Sequence, residues 1–284
     1  NGLDDDGIRA TASQYGAGGI TDIDTAAKAS LINDVIDTLA STAVDTQAEI
    51  AALAAIVKSI FATAAGESVV PPLTPQDLAA LGISGVDTDN IAAVIAAIAG
   101  TADNGSGIDS LSELSAVVDA TLAASRAAFA IISGYDGTNT IPSEAEFSAI
   151  AVTGVNSANI SSVNSVLAVL SSSATDSRAE VQAVVDTYAA ILNGADGVAN
   201  GGLSLTAAQY QNIGLTEITT SAQANLLSSI IDSSATSGVD SLTELQVLAN
   251  IVARLAAVAA GGAASPPLTP AELALVGIDG VTTS

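Results

Sequence analysis

Apolar residues recur along this chain at helical spacing. Ile91, Val94, Ile95 and Ile98 stand at i, i+3, i+4 and i+7, which places them on one stripe of an α-helix. Leu31, Ile32 and Val35 repeat the pattern upstream, and Leu226, Leu227 and Ile230 repeat it downstream. A longer stripe runs through Ile50, Leu53, Ile56, Val57 and Ile60, and returns as Leu245, Leu248, Ile251, Val252 and Leu255. The spacing predicts an all-α chain of medium and long helices, the long ones of roughly twenty residues and about 30 Å.

Polar residues mark where the helices start. Thr46/Glu49, Ser110/Glu113, Ser177/Glu180 and Ser241/Glu244 have the spacing of capping boxes ahead of the long stripes. Asp45, Asp109, Asp176 and Asp240 precede them, where negative charge suits the positive end of a helix. A second set predicts a short helix: Thr11/Gln14, Thr74/Asp77, Ser143/Glu146, Thr206/Gln209 and Thr269/Glu272. Pro75 and Pro270 fit its first position, where a missing N–H is harmless. Gly19, Gly82, Gly214 and Gly277 should stop it in a left-handed conformation, with Ala151 the one departure.

These signals come in a fixed order with a long period. LTPQDLAALGISGVDTDN from Leu73 is matched by LTPAELALVGIDGVTTS from Leu268, with further copies from Ala10, Pro142 and Leu205. The starts at 10, 73, 142, 205 and 268 are 63, 69, 63 and 63 residues apart. The expected fold is an all-α tandem array of three-helix units of about 63–69 residues, either a solenoid or a string of three-helix bundles. The expected divisions are 1–9, a tail of a preceding unit or linker; units at 10–72, 73–141, 142–204 and 205–267; and the start of a fifth unit at 268–284. The six extra residues of the second unit are expected at Gly134–Asn139, on an exposed face after its long helix. Both ends fall inside the periodicity and the chain starts at Asn1, so it is expected to be an interior or processed piece of a longer protein.

Composition narrows the chemistry. Among 284 residues, 30 acidic against 6 basic give a net charge of −24, with no His, Cys, Met or Trp. Nucleic acid is excluded as a partner because the chain repels phosphate. Disulfides, Cys/His metal sites and a His general base are excluded for want of side chains. With aromatics at 2%, stacking platforms are not expected. No stretch reads as a membrane span: the longest apolar helix, Ile50 to Ala65, is interrupted by Lys58 and carries Ser59 and Thr63. A Cys-free sequence fits export to the cell exterior.

Two patterns could carry chemistry. Asp-Ser/Thr-x-x-Glu pairs carboxylates, as acid–base catalysis needs, but capping explains its spacing and its repetition together, and no enzyme is expected. Acidic, glycine-bent loops suit Ca²⁺. The metal candidates are Asp4, Asp5 and Asp6, followed by loops at Asp22 and Asp24, Asp87 and Asp89, Asp103 and Asn104, Asp136 and Asn139, and Asp196 and Asn200. No cofactor is required, and none of these loops matches an EF-hand. Tyr15, Phe147 and Tyr210 occupy the place of Leu78 and Leu273 and are expected in the core, as is Tyr188.

LTPQDLAALGISGVDTDNIAAVIAAI, followed by GIDSLSELSAVVDATL, resembles α-helical tandem repeats of very large secreted bacterial cell-surface proteins of the adhesin type. The resemblance implies an extracellular spacer or fibre and carries no site residues. The expected function is a structural repeat segment that forms a stalk, filament or lattice, with copies of itself or flanking units of the same polypeptide as partners. The alternatives are a binding module whose acidic loops recognise a partner or Ca²⁺, and a surface-layer protein.

Overall fold

The computed structural model describes residues 9–102 and 104–282. The protein is all-α. Among the described residues there are thirteen α-helices: α1 Ala12–Ala17, α2 Ala26–Thr38, α3 Gln47–Ala64, α4 Pro75–Ala80, α5 Ile91–Ala99, α6 Leu111–Ser133, α7 Glu144–Ala149, α8 Ile160–Leu167, α9 Arg178–Gly194, α10 Ala207–Asn212, α11 Ser221–Asp232, α12 Leu242–Ala259 and α13 Pro270–Leu275. The only β pairing among them is an isolated bridge between Asp196 and Ala235. Short 3-10 turns at Ser41–Ala43, Ser172–Ala174 and Thr236–Gly238 lead into α3, α9 and α12, with no counterpart in the periodic apolar pattern.

The capping residues start the helices as their chemistry requires. In α1, α3, α4, α9, α10, α12 and α13 the N-cap hydroxyl accepts from the N3 backbone N–H, and the N3 side chain accepts from the N-cap N–H. α11 adds a box that the spacing of the sequence did not single out, Thr220 with Gln223. At the far end of the short helices, Gly19, Gly82, Gly214 and Gly277 all have φ between 77° and 90°. Ala151 holds the same left-handed geometry at φ 52°, the only non-glycine with positive φ among the described residues. The backbone path is thus kept even where the residue suited to it is missing.

The chain forms two compact bodies, and the dividing point falls inside α6. The first contains the described residues up to Ala127, with Ala149–Ala151. In it α1 packs on α2, α2 on α3, and α3 on both α4 and α5. Leu31, Ile32, Val35, Val57, Ile60, Leu78, Val94 and Ile98 are fully buried there. Leu111 N–H donates to Asp34 Oδ2 at 3.0 Å, which ties the start of α6 to α2.

The second body contains Ala128–Ser148 and the described residues from Val152 onward. Here α9 packs on α8, α10 and α11, and α12 packs on α8, α11 and α13. Tyr188, Tyr210, Phe147, Leu227, Leu245 and Ile251 are buried. Leu242 N–H donates to Ser165 Oγ at 2.9 Å, which ties the start of α12 to α8.

Three expectations are corrected. First, α6 has 23 residues against 18 in α3. The next cap follows ten positions after each (133 to 143, 64 to 74), so the extra residues lengthen the helix instead of forming a loop. Second, Leu226 is 41% exposed and does not join Leu227 and Ile230 in the core.

Third, no membrane span was expected, but Gln47–Ala64, Leu111–Ser133 and Leu242–Ala259 are each long and apolar enough to cross a membrane, at mean hydropathies of 1.4, 1.5 and 1.4. One lysine does not outweigh so many Ala, Ile and Val. The supposed interruptions also satisfy themselves within the helix, since Ser59 Oγ donates to Ala55 O at 3.0 Å and Thr63 Oγ1 to Ser59 O at 2.8 Å. In the folded chain 39%, 28% and 33% of these stretches is buried inside the protein, so the same helices also line the core.

Candidate functional site

The paired carboxylates are built into helix starts. Glu49, Glu146 and Glu180 lie below the usual carboxylate range because the cap hydroxyl and cap N–H donate to them. Glu272 is lowered to about 2, first by Arg254 and then by its cap Thr269. Asp109 is pushed up by its hydrogen bond to Glu113, and Asp240 by burial and its hydrogen bond to Glu244. The structure therefore places the Asp-Ser/Thr-x-x-Glu residues on helix N-termini, engaged with backbone donors.

The acidic loops also turn inward on their own backbone. Asp87 Oδ1 accepts from the N–H of Asp89 and Asn90, while Asn90 donates to Gly85 O. Asp136 does the same with Thr138 and Asn139, and Asn139 donates to Gly134 O. Asn156 and Asn159 repeat the turn on Gly154. The shared pattern Gly-x-Asp/Asn-x-x-Asn is visible in the sequence and folds as a turn closed on its own backbone.

At Asp196 and Asn200 the loop is held by Asp232, which is 2% exposed and accepts from the N–H groups of Asn200, Gly201 and Gly202. Those donors lower its pKa. Among the described residues no group of three or more acidic side chains is placed to hold a metal. Asp4, Asp5 and Asp6, and Asp103, lie outside the described residues.

Asp22 and Asp24 pair with lysines: Lys58 Nζ lies 2.7 Å from Asp22 and Lys28 Nζ 2.7 Å from Asp24. Lys28, Lys58, Asp24 and Glu67 line a cleft of about 480 Å³ in the first body, together with Phe61 and Ala62. A groove of about 600 Å³ lies in the second body, lined by Val169, Leu170, Gln211, Leu242, Gln246 and Val247. Val169 and Val247 are 64% and 43% exposed along it. The apolar stripes gave no sign of this groove, because it is made by residues just off them.

Tyr15, Phe147, Tyr188 and Tyr210 are core anchors. Tyr15 OH donates to Asn33 Oδ1 at 2.8 Å, Tyr188 OH to Val239 O at 3.0 Å, and Tyr210 shares a hydrogen bond of 2.9 Å with Ser228. Asn33, Asn164 and Ser228 are buried polar residues on α2, α8 and α11. Asn33 and Asn164 donate to Ala10 O and Pro142 O, just ahead of the short helices. The signal for them was an isolated Asn inside an apolar stripe. No family model matches the chain, and neither the curated proteins nor the solved structures include a match.

Proposed function

We propose that this chain is a structural repeat segment of an extracellular bacterial surface protein, in which tandem three-helix units of about 63–69 residues pack into a stalk, filament or lattice. One observation carries the reading. The start of α6 is bound by α2 and the start of α12 by α8 through main-chain donors at Leu111 and Leu242, each 77 residues beyond its acceptor at Asp34 and Ser165. The same long-range link between a medium helix and the long helix of the following unit thus occurs twice, 131 residues apart. Bundles that folded one unit at a time would have no use for it. Further support comes from α3 packing on α4 and α5, and α9 on α10 and α11, where the long helix of one unit meets the next.

The acidic surface keeps such an array soluble. Electron microscopy of the purified chain tests the reading: regular fibres or sheets are expected, and isolated short particles at every concentration count against it. Liposome flotation in parallel reports whether the three long apolar helices attach the array to a bilayer.

A second reading, a binding module, is favoured by the apolar groove at Val169 and Val247. Replacing Val169 by Asp abolishes partner capture on this reading and leaves fibre formation unchanged on the first.

A further inference from the structure

The two joints between a medium helix and a later long helix are built from different chemistry. In the second body the acceptor for Leu242 N–H is the hydroxyl of Ser165. In the first body the acceptor for Leu111 N–H is the carboxylate of Asp34, whose other oxygen accepts from Arg9 Nη1 at 2.6 Å. Arg9 Nη2 lies 3.9 Å from Asp37, three residues further along α2. The Asp34 side chain is 17% exposed. One carboxylate thus fastens three segments: the stretch ahead of α1, α2 itself and the start of α6.

The counterparts follow from shared hydrogen bonds. Asn33 donates to Ala10 O and Asn164 to Pro142 O, so Arg9 corresponds to Ile141, and Asp34 and Asp37 correspond to Ser165 and Ala168. Every charged group of the first cluster is neutral in the second. Both joints keep the carboxyl pair at the start of the long helix, Asp109 with Glu113 and Asp240 with Glu244. Asp109 also feels the charge of Asp34. Of the elements packed on α2, α1 brings Tyr15, which is neutral well into the alkaline range. α3 brings Glu49 and Lys58, held by Thr46 and Asp22. At the second joint the titratable groups are Tyr188, Asp240 and Glu244. The two joints therefore differ in Arg9, Asp34 and Asp37 alone.

We propose that the α2–α6 joint is an acid-released latch and the α8–α12 joint its acid-stable counterpart. Protonation of the Arg9–Asp34 cluster frees the start of α6, while the hydroxyl of Ser165 keeps the start of α12 in place. The fastening charge is present at neutral pH and is lost as pH falls through the ordinary carboxylate range, about 4. A protonated acid accepts more weakly from Leu111 N–H and no longer holds the guanidinium. The apolar packing around the joint does not titrate, so acid opens one link and spares the other.

Amide hydrogen exchange of Leu111 and Leu242, followed by NMR on the full chain at about pH 6.5 and about pH 3, tests the latch. Protection of Leu111 should fall about tenfold relative to Leu242 in acid, the difference between a charged and a neutral acceptor. Asp34→Asn should produce the same selective loss already at about pH 6.5, with no further selective loss in acid. Protection that falls equally at the two amides while the helix signal in circular dichroism holds would overturn the latch. So would a Leu111 that stays selectively acid-sensitive in Asp34→Asn. If acid unfolds the whole chain, Asp34→Asn at neutral pH decides: selective loss at Leu111 supports the latch, and unchanged protection overturns it. The measurement needs no assembly, so failure of the latch leaves the array reading standing.

Discussion

The hydroxyl of Tyr15 donates to Oδ1 of Asn33 across 2.8 Å of buried interior. Asn33 in turn donates to Ala10 O, so the side chain ties α2 to the segment ahead of α1. Phe147, the fourth residue of α7 as Tyr15 is of α1, has no hydroxyl, and Asn164 Oδ1 is the one buried side-chain polar atom among the described residues with no hydrogen-bond partner. Restoring the donor should remove the penalty of an unmet acceptor. Phe147→Tyr is expected to stabilise the second body by about 1 kcal/mol, read as a higher urea midpoint with an unchanged slope. An unchanged or lower midpoint would show that the new hydroxyl does not reach Asn164.

Ala151 occupies the left-handed conformation that Gly82 and Gly214 fill elsewhere. A Cβ there is disfavoured by about 1–2 kcal/mol, partly offset because glycine loses more freedom on folding. Ala151→Gly should therefore stabilise by up to about 1 kcal/mol. The mirror change, Gly82→Ala, should destabilise, and thermal melts of the two variants should move in opposite directions.

Ser241 and Glu244 close the cap of α12 from both sides. Ser241→Ala should cost about 0.5–2 kcal/mol, and Ser241→Asp, which preserves a cap acceptor, should recover most of it. Loss of an activity in a still fully folded Ser241→Ala protein would instead give these carboxylates a chemical role.

Tyr15 and Tyr210 are raised to about 12, chiefly by burial, and Tyr188 is raised for the same reason. Their folded pKa values stand above the ordinary value of 10.0, so the native state favours the neutral phenol. That contribution is complete below pH 10.0 and is lost as pH rises from there through about 12. The protein should unfold in this alkaline window, with phenolate absorbance appearing together with loss of helix. Ionisation of Tyr15, Tyr188 or Tyr210, followed in a Tyr135→Phe background, near pH 10.0 before any loss of helix would contradict their burial.

Much of the fold was legible because caps and stripes act locally. Thr46, Ser177 and Ser241 start helices through bonds to residues three positions away, and Val57 and Ile251 face inward because the 3.6-residue period puts them there. What was not legible depends on partners distant in sequence. Leu226 has the same local pattern as Leu31 yet is 41% exposed against 0%, and Leu31 lies three residues before Asp34, which holds the distant start of α6. The lengthening of α6 was hidden because an added turn of Ala and Ser resembles a linker. The membrane-length apolarity of α3 is interrupted in the sequence by single polar residues, Ser59 and Thr63, whose hydroxyls the helix itself satisfies. In the acidic loops, Asp87 and Asp136 accept from backbone N–H groups two and three positions on, a closure set by the turn and not by charge.

Solution X-ray scattering over a concentration series tests the central claim, a structural array continued from copy to copy, most directly. The account predicts a scattering mass and a maximum dimension that both grow with protein concentration and with salt, as copies add to a regular fibre or sheet. A scattering mass that stays at one copy at every concentration and salt would contradict it.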